Sequence, residues 1–224
     1  MRVVLSWSSG KDAAWALHVL RQRGVEVTAL LTTIDEATQR VGMHGVAREV
    51  VQAQADAAGL PLRLLPLPWP ASNAVYEAAV RGALAAERAG GATHVAFGDL
   101  FLDDVRRYRE QLLEGTGLQP LFPLWHPEGG TAALARAMLA GGLGATVCCV
   151  DGARLAPAFV RRRYDASFLA DLPPGVDPCG ERGAFHTVCT AGPAFEAGVE
   201  ITLGPPATRA GFVYADVSLR KRPS

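Results

Sequence analysis

VLSWSSGKDAAWAL, residues 4 to 17, is the most informative segment of this chain. An apolar run, Val3–Leu5, meets a polar turn at 8–12, and an apolar pattern with helical spacing follows at once. A turn of serine and glycine between a strand and a helix presents backbone N–H groups at the helix N-terminus, where the helix dipole also attracts anions. The segment therefore predicts a strand, an anion-binding turn and a helix, in that order.

Further along the chain, apolar runs alternate with segments of helical period, which indicates right-handed βαβ units and a mainly parallel sheet with helices on both faces. The run 145–150 is the last predicted strand of this series. Beyond it, prolines and short strand-like runs indicate a smaller α+β portion. We expect an α/β domain over residues 1–152 and a smaller, substrate-side domain over residues 153–224.

Composition limits the classes of partner. Lys+Arg and Asp+Glu are both 22, and this balance argues against a general nucleic-acid or acidic-membrane binder. The basic runs Arg161–Arg163 and Arg220–Arg222 are interpreted as solvated surface. No signal peptide and no apolar run of membrane-spanning length is evident. The cysteines form no CxxC pair, which favours a reducing cytoplasm and no structural metal; they are Cys148, Cys149, Cys179 and Cys189.

The residues of the turn suit a phosphate group. Ser8 and Ser9 offer hydroxyl donors, Gly10 lets the backbone approach closely, and Lys11 can neutralise phosphate charge. Asp12 would repel a phosphate unless a cation lay between them, and a phosphate-bound Mg²⁺ is the natural cation. A plain capped turn between strand and helix is the alternative.

Two common phosphate loops do not match this turn. A Walker A loop needs GxxxxGK[ST], and a dinucleotide loop needs GxGxxG. The turn instead resembles the PP-loop, SGGxDS, of ATP pyrophosphatases. It departs from that pattern at Ser9, which replaces a glycine, and at Ala13, which replaces the closing serine.

A second motif, DPCGERGAFHT, runs from Asp177 to Thr187. Together with the turn it resembles the diphthine–ammonia ligase family of PP-loop ATPases, whose C-terminal signature reads approximately GENGEFHT. The second glutamate of that signature falls on Ala184. Other segments resemble bacterial-type members of the family; they are Arg40–Gly45, Gly98–Leu100, Tyr108–Glu110 and Pro120–Trp125.

The resemblance implies a Rossmann-like PP-loop (HUP-type) fold and an ATP-dependent amidation. A carboxylate would be adenylated by ATP with Mg²⁺, and ammonia would then displace AMP. In this scheme Lys11, Asp12, Glu181 and His186 are the catalytic residues and Asp12 is the metal ligand. The nucleotide-binding residues are predicted to be Ser6, Trp7, Ser8, Ser9, Gly10, Lys11, Asp12, Leu31, Thr32, Thr33, His44, Gly98 and Asp99.

Several alternatives stay open at this point. His44 could be a surface histidine, and Asp99 could merely cap the next helix. The acceptor could be a small-molecule or a protein-borne carboxylate, and a homodimer is conceivable. The altered motif positions also fit a non-catalytic adenine-nucleotide-binding protein. A tRNA-modifying PP-loop enzyme is a further alternative, against which the neutral charge and the missing CxxC argue.

Overall fold

The structure is a computed structural model that describes residues 1–68 and 70–220; Lys221 and Arg222 of the basic C-terminal run lie outside the described residues. A six-stranded, mostly parallel sheet forms its first half. Its strands are β1 (Arg2–Ser6), β2 (Glu26–Asp35), β3 (Arg40–Val41), β4 (Leu62–Leu67), β5 (His94–Ala96) and β6 (Gln119–Leu121). The helices are α1 (Lys11–Gln22), α2 (Arg48–Ala57), α3 (Asn73–Ala89), α4 (Asp103–Leu113), α5 (Gly130–Ala140) and α6 (Ala166–Ala170).

The position of β3 matters for the site. Ile34 near the end of β2 pairs with Pro66 of β4 and also with Val41 of β3, so these two strands occupy opposite edges of β2. β1 pairs with β2 only as far as Leu31. β3 therefore lies on the same edge of β2 as β1, beyond the carboxyl end of β1. Ligands of open α/β sheets bind beyond the carboxyl ends of the strands, which is where β3 lies.

A second sheet is antiparallel, with the order β8-β7-β10-β9. Its strands are β7 (Gly144–Asp151), β8 (Phe185–Ala191), β9 (Ile201–Arg209) and β10 (Phe212–Leu219). The predicted α/β class with an additional smaller sheet is confirmed. The strand predicted at 145–150 was wrongly assigned to the parallel sheet, because it is β7 and pairs with β8 and β10. The division of the chain at residue 152 stays a prediction.

The parallel sheet is buried on both faces. Val3 and Leu5 of β1 point into a core that continues under the second sheet to Val147 and Phe185. Val4, between them, points to the opposite face and a separate apolar cluster under α3 and α4. This alternation follows from the two-residue period of a strand. The carboxyl end of β1 is thus fixed between two cores.

Candidate active site

The turn between β1 and α1 is anchored through Trp7. Its backbone N–H donates to the Leu31 carbonyl at 2.8 Å, and its carbonyl accepts from the Thr32 hydroxyl at 2.9 Å. Its buried indole Nε1 donates to Gln54 Oε1 at 2.9 Å. The turn is therefore held against both β2 and α2.

Ser9 and Gly10 form the tightest part of the turn. Ser9 has a φ of 72°, a conformation that non-glycine residues seldom adopt. Its Oγ is buried and has no hydrogen-bond partner in the described chain. Its carbonyl accepts from Cys189 N at 2.9 Å and from Gln54 Nε2 at 3.0 Å. At Gly10 a Cβ atom would lie 2.9 Å from His44 Cε1, so the close approach requires glycine there.

The C-terminal motif contacts the start of α1. Thr187 Oγ1 accepts from the backbone N–H of Lys11 at 3.1 Å and so takes the part of a helix N-cap. The Thr187 carbonyl accepts from His44 Nδ1 at 3.0 Å. Within residues 1–68 and 70–220, the backbone N–H groups of Ser8 and Ser9 donate to no acceptor. Ser9 is fully buried, so the turn offers the N–H group of Ser8 as its free donor to an anion at a helix N-terminus.

Lys11 is almost fully buried at this point. Its Nζ donates to Asp12 Oδ2 at 2.8 Å and to the Cys179 carbonyl at 2.5 Å. The rings of Tyr164 and Phe185 lie with centroids 5.6 Å and 5.5 Å from Nζ. Burial is the largest single effect and lowers the pKa of Lys11, but the attractions of Asp12, Cys179 and Glu181 together outweigh it, so the pKa lies above its ordinary value. The ammonium therefore ties the PP-loop to the C-terminal motif, and its predicted contact with phosphate stays a prediction.

Three carboxyl groups, those of Asp12, Asp99 and Glu181, line one small space beside this lysine. Asp12 Oδ1 is buried and has no partner among the residues that the structure describes. Burial raises the pKa of Glu181 to about 7, and repulsion by Asp12, Asp177 and Asp99 adds to this shift while Lys11 opposes it. Glu181 is therefore a carboxyl group that exchanges its proton near neutral pH.

Asp99 is also held by an ion pair. Arg109 Nε lies 3.3 Å from Asp99 Oδ2, and its Nη1 lies 3.3 Å from the hydroxyl of Tyr76. The guanidinium is stacked 5.0 Å from the ring of Phe97. Asp99 thus lies beside the site and does not simply cap α4, whose capping residue Leu102 makes no side-chain hydrogen bond.

His44 and His186 lie side by side, with ring centroids 4.8 Å apart. Burial lowers the pKa of His44 to about 3, with further repulsion from His186, and burial also lowers the pKa of His186 to about 4. Both imidazoles are therefore neutral at pH 7. His186 Nε2 is buried and lacks a hydrogen-bond partner in the described structure.

These residues surround two adjoining cavities, which share Ser8 and His44 in their walls. We call the first, of about 270 Å³, the inner cavity. We call the second, of about 310 Å³, the acidic chamber. The predicted residues that line the inner cavity are Ser6, Trp7, Ser8, Leu31, Thr33 and His44. Those that line the acidic chamber are Ser8, Lys11, Asp12, His44, Asp99, Glu181 and His186.

Other predicted residues lie behind the cavity walls; they are Ser9, Gly10, Thr32 and Gly98. Gly98 contacts the start of α1 so closely that a Cβ atom would lie 3.1 Å from the Asp12 carbonyl carbon. The sequence reasoning missed Gln54 and Thr187 as supports of the turn, and Tyr76 and Arg109 as lining of the inner cavity. Gln54 had a signal in the sequence, because it follows Val50 and Val51 at helical spacing on the apolar face of α2; the structure shows that it is fully buried.

The donor set fits Mg²⁺ bound together with a polyphosphate. No group of three or more His, Cys, Asp or Glu in the described ranges could hold a metal by itself. Mg²⁺ commonly binds one or two carboxylates and completes its shell with water and phosphate oxygens. The unpartnered Oδ1 of Asp12, next to the free N–H group of the turn, provides such a carboxylate.

Two comparisons with known proteins found a similar family or structure. A family model described as the diphthamide synthase N-terminal domain matches residues 1–120. A predicted subunit of a tRNA methyltransferase from Methanocaldococcus jannaschii has a similar structure, with 15% identity, a TM-score of 0.44, and coverage of 66% of this chain and 80% of that chain. No curated protein matches. No helix among the described residues is long and apolar enough to cross a membrane.

The family match confirms the resemblance that the two sequence motifs indicated, while the bacterial-type assignment stays a prediction. It covers more than half of the 224 residues and includes the turn, His44 and Asp99. The chain therefore belongs to the diphthamide synthase family of PP-loop proteins, whose members use ATP.

Proposed function

We propose that this chain is a carboxylate–ammonia ligase that adenylates its acceptor with ATP. A carboxylate oxygen of the acceptor would attack the α-phosphorus, and pyrophosphate would leave. Ammonia would then attack the acyl carbon, AMP would leave, and an amide would remain. One observation carries this proposal: the C-terminal motif docks on the PP-loop, so that Glu181 and His186 line the same chamber as Ser8 and Asp12.

The two cavities suit the two ends of ATP. The inner cavity is largely apolar and lies beyond the carboxyl end of β1, where an adenosine would be sheltered by Phe97 and Tyr76. The free N–H group of Ser8, which lines both cavities, would receive a phosphate oxygen. Asp12 would hold Mg²⁺, which neutralises phosphate charge when bound.

The acidic chamber suits the second half-reaction. Ammonia is mostly protonated at pH 7 and must lose a proton before it can attack. Glu181, with a pKa of about 7, can hold ammonium as a carboxylate and accept that proton. Neutral His186 adds an unpartnered ring nitrogen to the same chamber.

The first test is AMP formation from labelled ATP with ammonium and a panel of carboxylates. Asp12→Asn should lower both pyrophosphate–ATP exchange and amide formation, because it weakens Mg²⁺ binding. Glu181→Gln should keep the exchange and lower amide formation by about 10²- to 10⁴-fold, the usual effect of a general base. Glu128→Gln, an exposed change, is the matched control.

Two outcomes would contradict the proposal. Calorimetric binding of ATP without AMP formation from any carboxylate would support a non-catalytic nucleotide-binding protein. If Glu181→Gln lowered pyrophosphate–ATP exchange and amide formation equally, Glu181 would not act specifically in the ammonia step.

A further inference from the structure

A third cavity adjoins the inner cavity on its outer side. We call it the outer cleft; its volume is about 610 Å³. One wall is the β2–β3 hairpin, and the other is the β9–β10 hairpin. Val41, Gly42 and Met43 belong to the walls of both the inner cavity and the outer cleft. The next residue, His44, borders both the inner cavity and the acidic chamber.

The outer cleft has a fixed floor. The Arg40 guanidinium donates to the Gly45 carbonyl at 2.7 Å and to the Val217 carbonyl at 3.2 Å, and it pairs with Asp216 at 2.5 Å. The Tyr214 ring lies against Gly45, where a Cβ atom would be 3.1 Å from it. These contacts join the loop after β3 to β10 across the floor of the cleft.

The lining combines aromatic surface with one available positive charge. Phe212 and Tyr214 lie two residues apart on the same face of β10 and line the cleft, with ring centroids 6.3 Å apart. Arg209 on β9 is exposed and makes no ion pair with any described residue. On the opposite wall, the Asp35 carboxylate accepts from the Thr38 hydroxyl at 2.5 Å, and this hydrogen bond lowers the pKa of Asp35, so it stays negatively charged.

We propose that the outer cleft binds the body of the acceptor, and that this acceptor is an aromatic or alicyclic carboxylic acid with a second anionic group. Its ring system would lie on Phe212 and Tyr214, and the second anion would pair with Arg209. The reacting carboxylate would pass Gly42 and Met43 to reach the nucleotide. The inference rests on the proposed adenylation, because only that reaction requires an acceptor at this place.

The chain offers a direct test by disulfide capture. Its cysteines, Cys148, Cys149, Cys179 and Cys189, are all buried. A cysteine at Ala207, which faces the cleft two residues before Arg209 on β9, would supply an accessible thiol. The probes are two disulfides of equal shape, one with a naphthoate and one with the neutral naphthamide. Capture is measured by mass spectrometry in a thiol buffer of low ionic strength.

We expect Ala207→Cys to capture the naphthoate about fivefold better than the naphthamide, since an arginine–carboxylate contact is a charge-assisted hydrogen bond. Arg209→Gln in the same background should bring that ratio to about one. Phe212→Leu should lower the capture of both probes. Ala85→Cys on the exposed face of α3 is the control and should show no preference. A ratio near one at Ala207→Cys, or a ratio that Arg209→Gln leaves unchanged, would overturn the anion site.

A second measurement separates this inference from the proposed function. The captured naphthoate should leave the ATP dissociation constant within about twofold and lower AMP formation with free carboxylates by about tenfold or more. Unchanged AMP formation would overturn the acceptor assignment while the proposed ligase activity stands. If unlabelled protein formed no AMP at all, the proposed function would fail and the cleft could not be an acceptor site, whatever the capture ratio.

Discussion

Replacing Ser9 with glycine should stabilise this chain. Ser9 combines a φ of 72° with a hydroxyl that is buried and lacks a partner in the described structure. Glycine adopts this backbone conformation without steric cost and carries no polar side chain. The change also restores the residue that the PP-loop pattern has at this position.

The expected size follows from three effects. Relief of the left-handed conformation contributes about 1–2 kcal/mol, and removal of the unpartnered buried hydroxyl of Ser9 contributes about 1–3 kcal/mol. The greater freedom of glycine in the unfolded chain subtracts about 0.5–1 kcal/mol. The net gain should be about 1–4.5 kcal/mol. In a chain of this size, each kcal/mol raises the Tm by about 2–4 °C.

Thermal and urea unfolding in the absence of nucleotide would measure this gain. Ser9→Ala removes the hydroxyl but keeps the strained backbone, so its stability should lie between those of the native chain and Ser9→Gly. Ser8→Gly is the matched control, because Ser8 has no positive φ, and it should lose about 0.5–1 kcal/mol. If Ser9→Gly were no more stable than Ser9→Ala, the backbone at Ser9 would not be strained and the reasoning would be refuted.

Three further changes test the supports of the site. The stability of Glu181→Gln relative to the native chain should increase as pH rises from 4.5 to about 7, because the raised pKa of Glu181 makes its ionisation in the folded state unfavourable. Urea unfolding should show a difference of about 1–3 kcal/mol, reached by pH 8 and constant above it. The same difference at every pH from 4.5 to 8 would contradict this. Lys11→Met leaves the partly buried Asp12 carboxylate without its cation and should cost about 3–5 kcal/mol; a chain with native Tm would show that the ion pair is not structural. Gln54→Leu leaves the Trp7 indole N–H without an acceptor and should cost about 1–3 kcal/mol and weaken calorimetric ATP binding; unchanged affinity would mean that the turn keeps its shape without this support.

The N-terminal half of the fold was predictable because its signals are local. The run Val3–Leu5, the polar turn and the spacing of apolar residues in α1 each specify a neighbouring structure. The strand β7 was not predictable in the same way. Cys148 and Cys149 are adjacent and both fully buried, so the run has no alternation and reads as a strand of a parallel sheet. Its antiparallel partners are distant in sequence, and their pairing depends on tertiary contacts.

The sequence predicted which ionisable residues lie together, but not the residues that support them. The two motifs identified Asp12 and Glu181, which the structure places in one chamber. The part of Thr187 as a cap for α1 could not be predicted, since 176 positions separate it from Lys11. The chain has no serine or threonine side chain at the N-cap itself, which is Gly10. A missing local cap is therefore a signal that a distant segment supplies one.

The three departures from the family motifs have unequal consequences. Ala13 and Ala184 are buried and belong to the continuous core, and neither lines the acidic chamber. The carboxylate that the signature would place at 184 would therefore lie in apolar surroundings, where an unpaired charge is unfavourable. Ser9 differs from both, because its side chain is polar, unpartnered and attached to a strained backbone. Ser9 is thus the position at which this chain departs most from the PP-loop pattern, and the stability of Ser9→Gly tests the strain there.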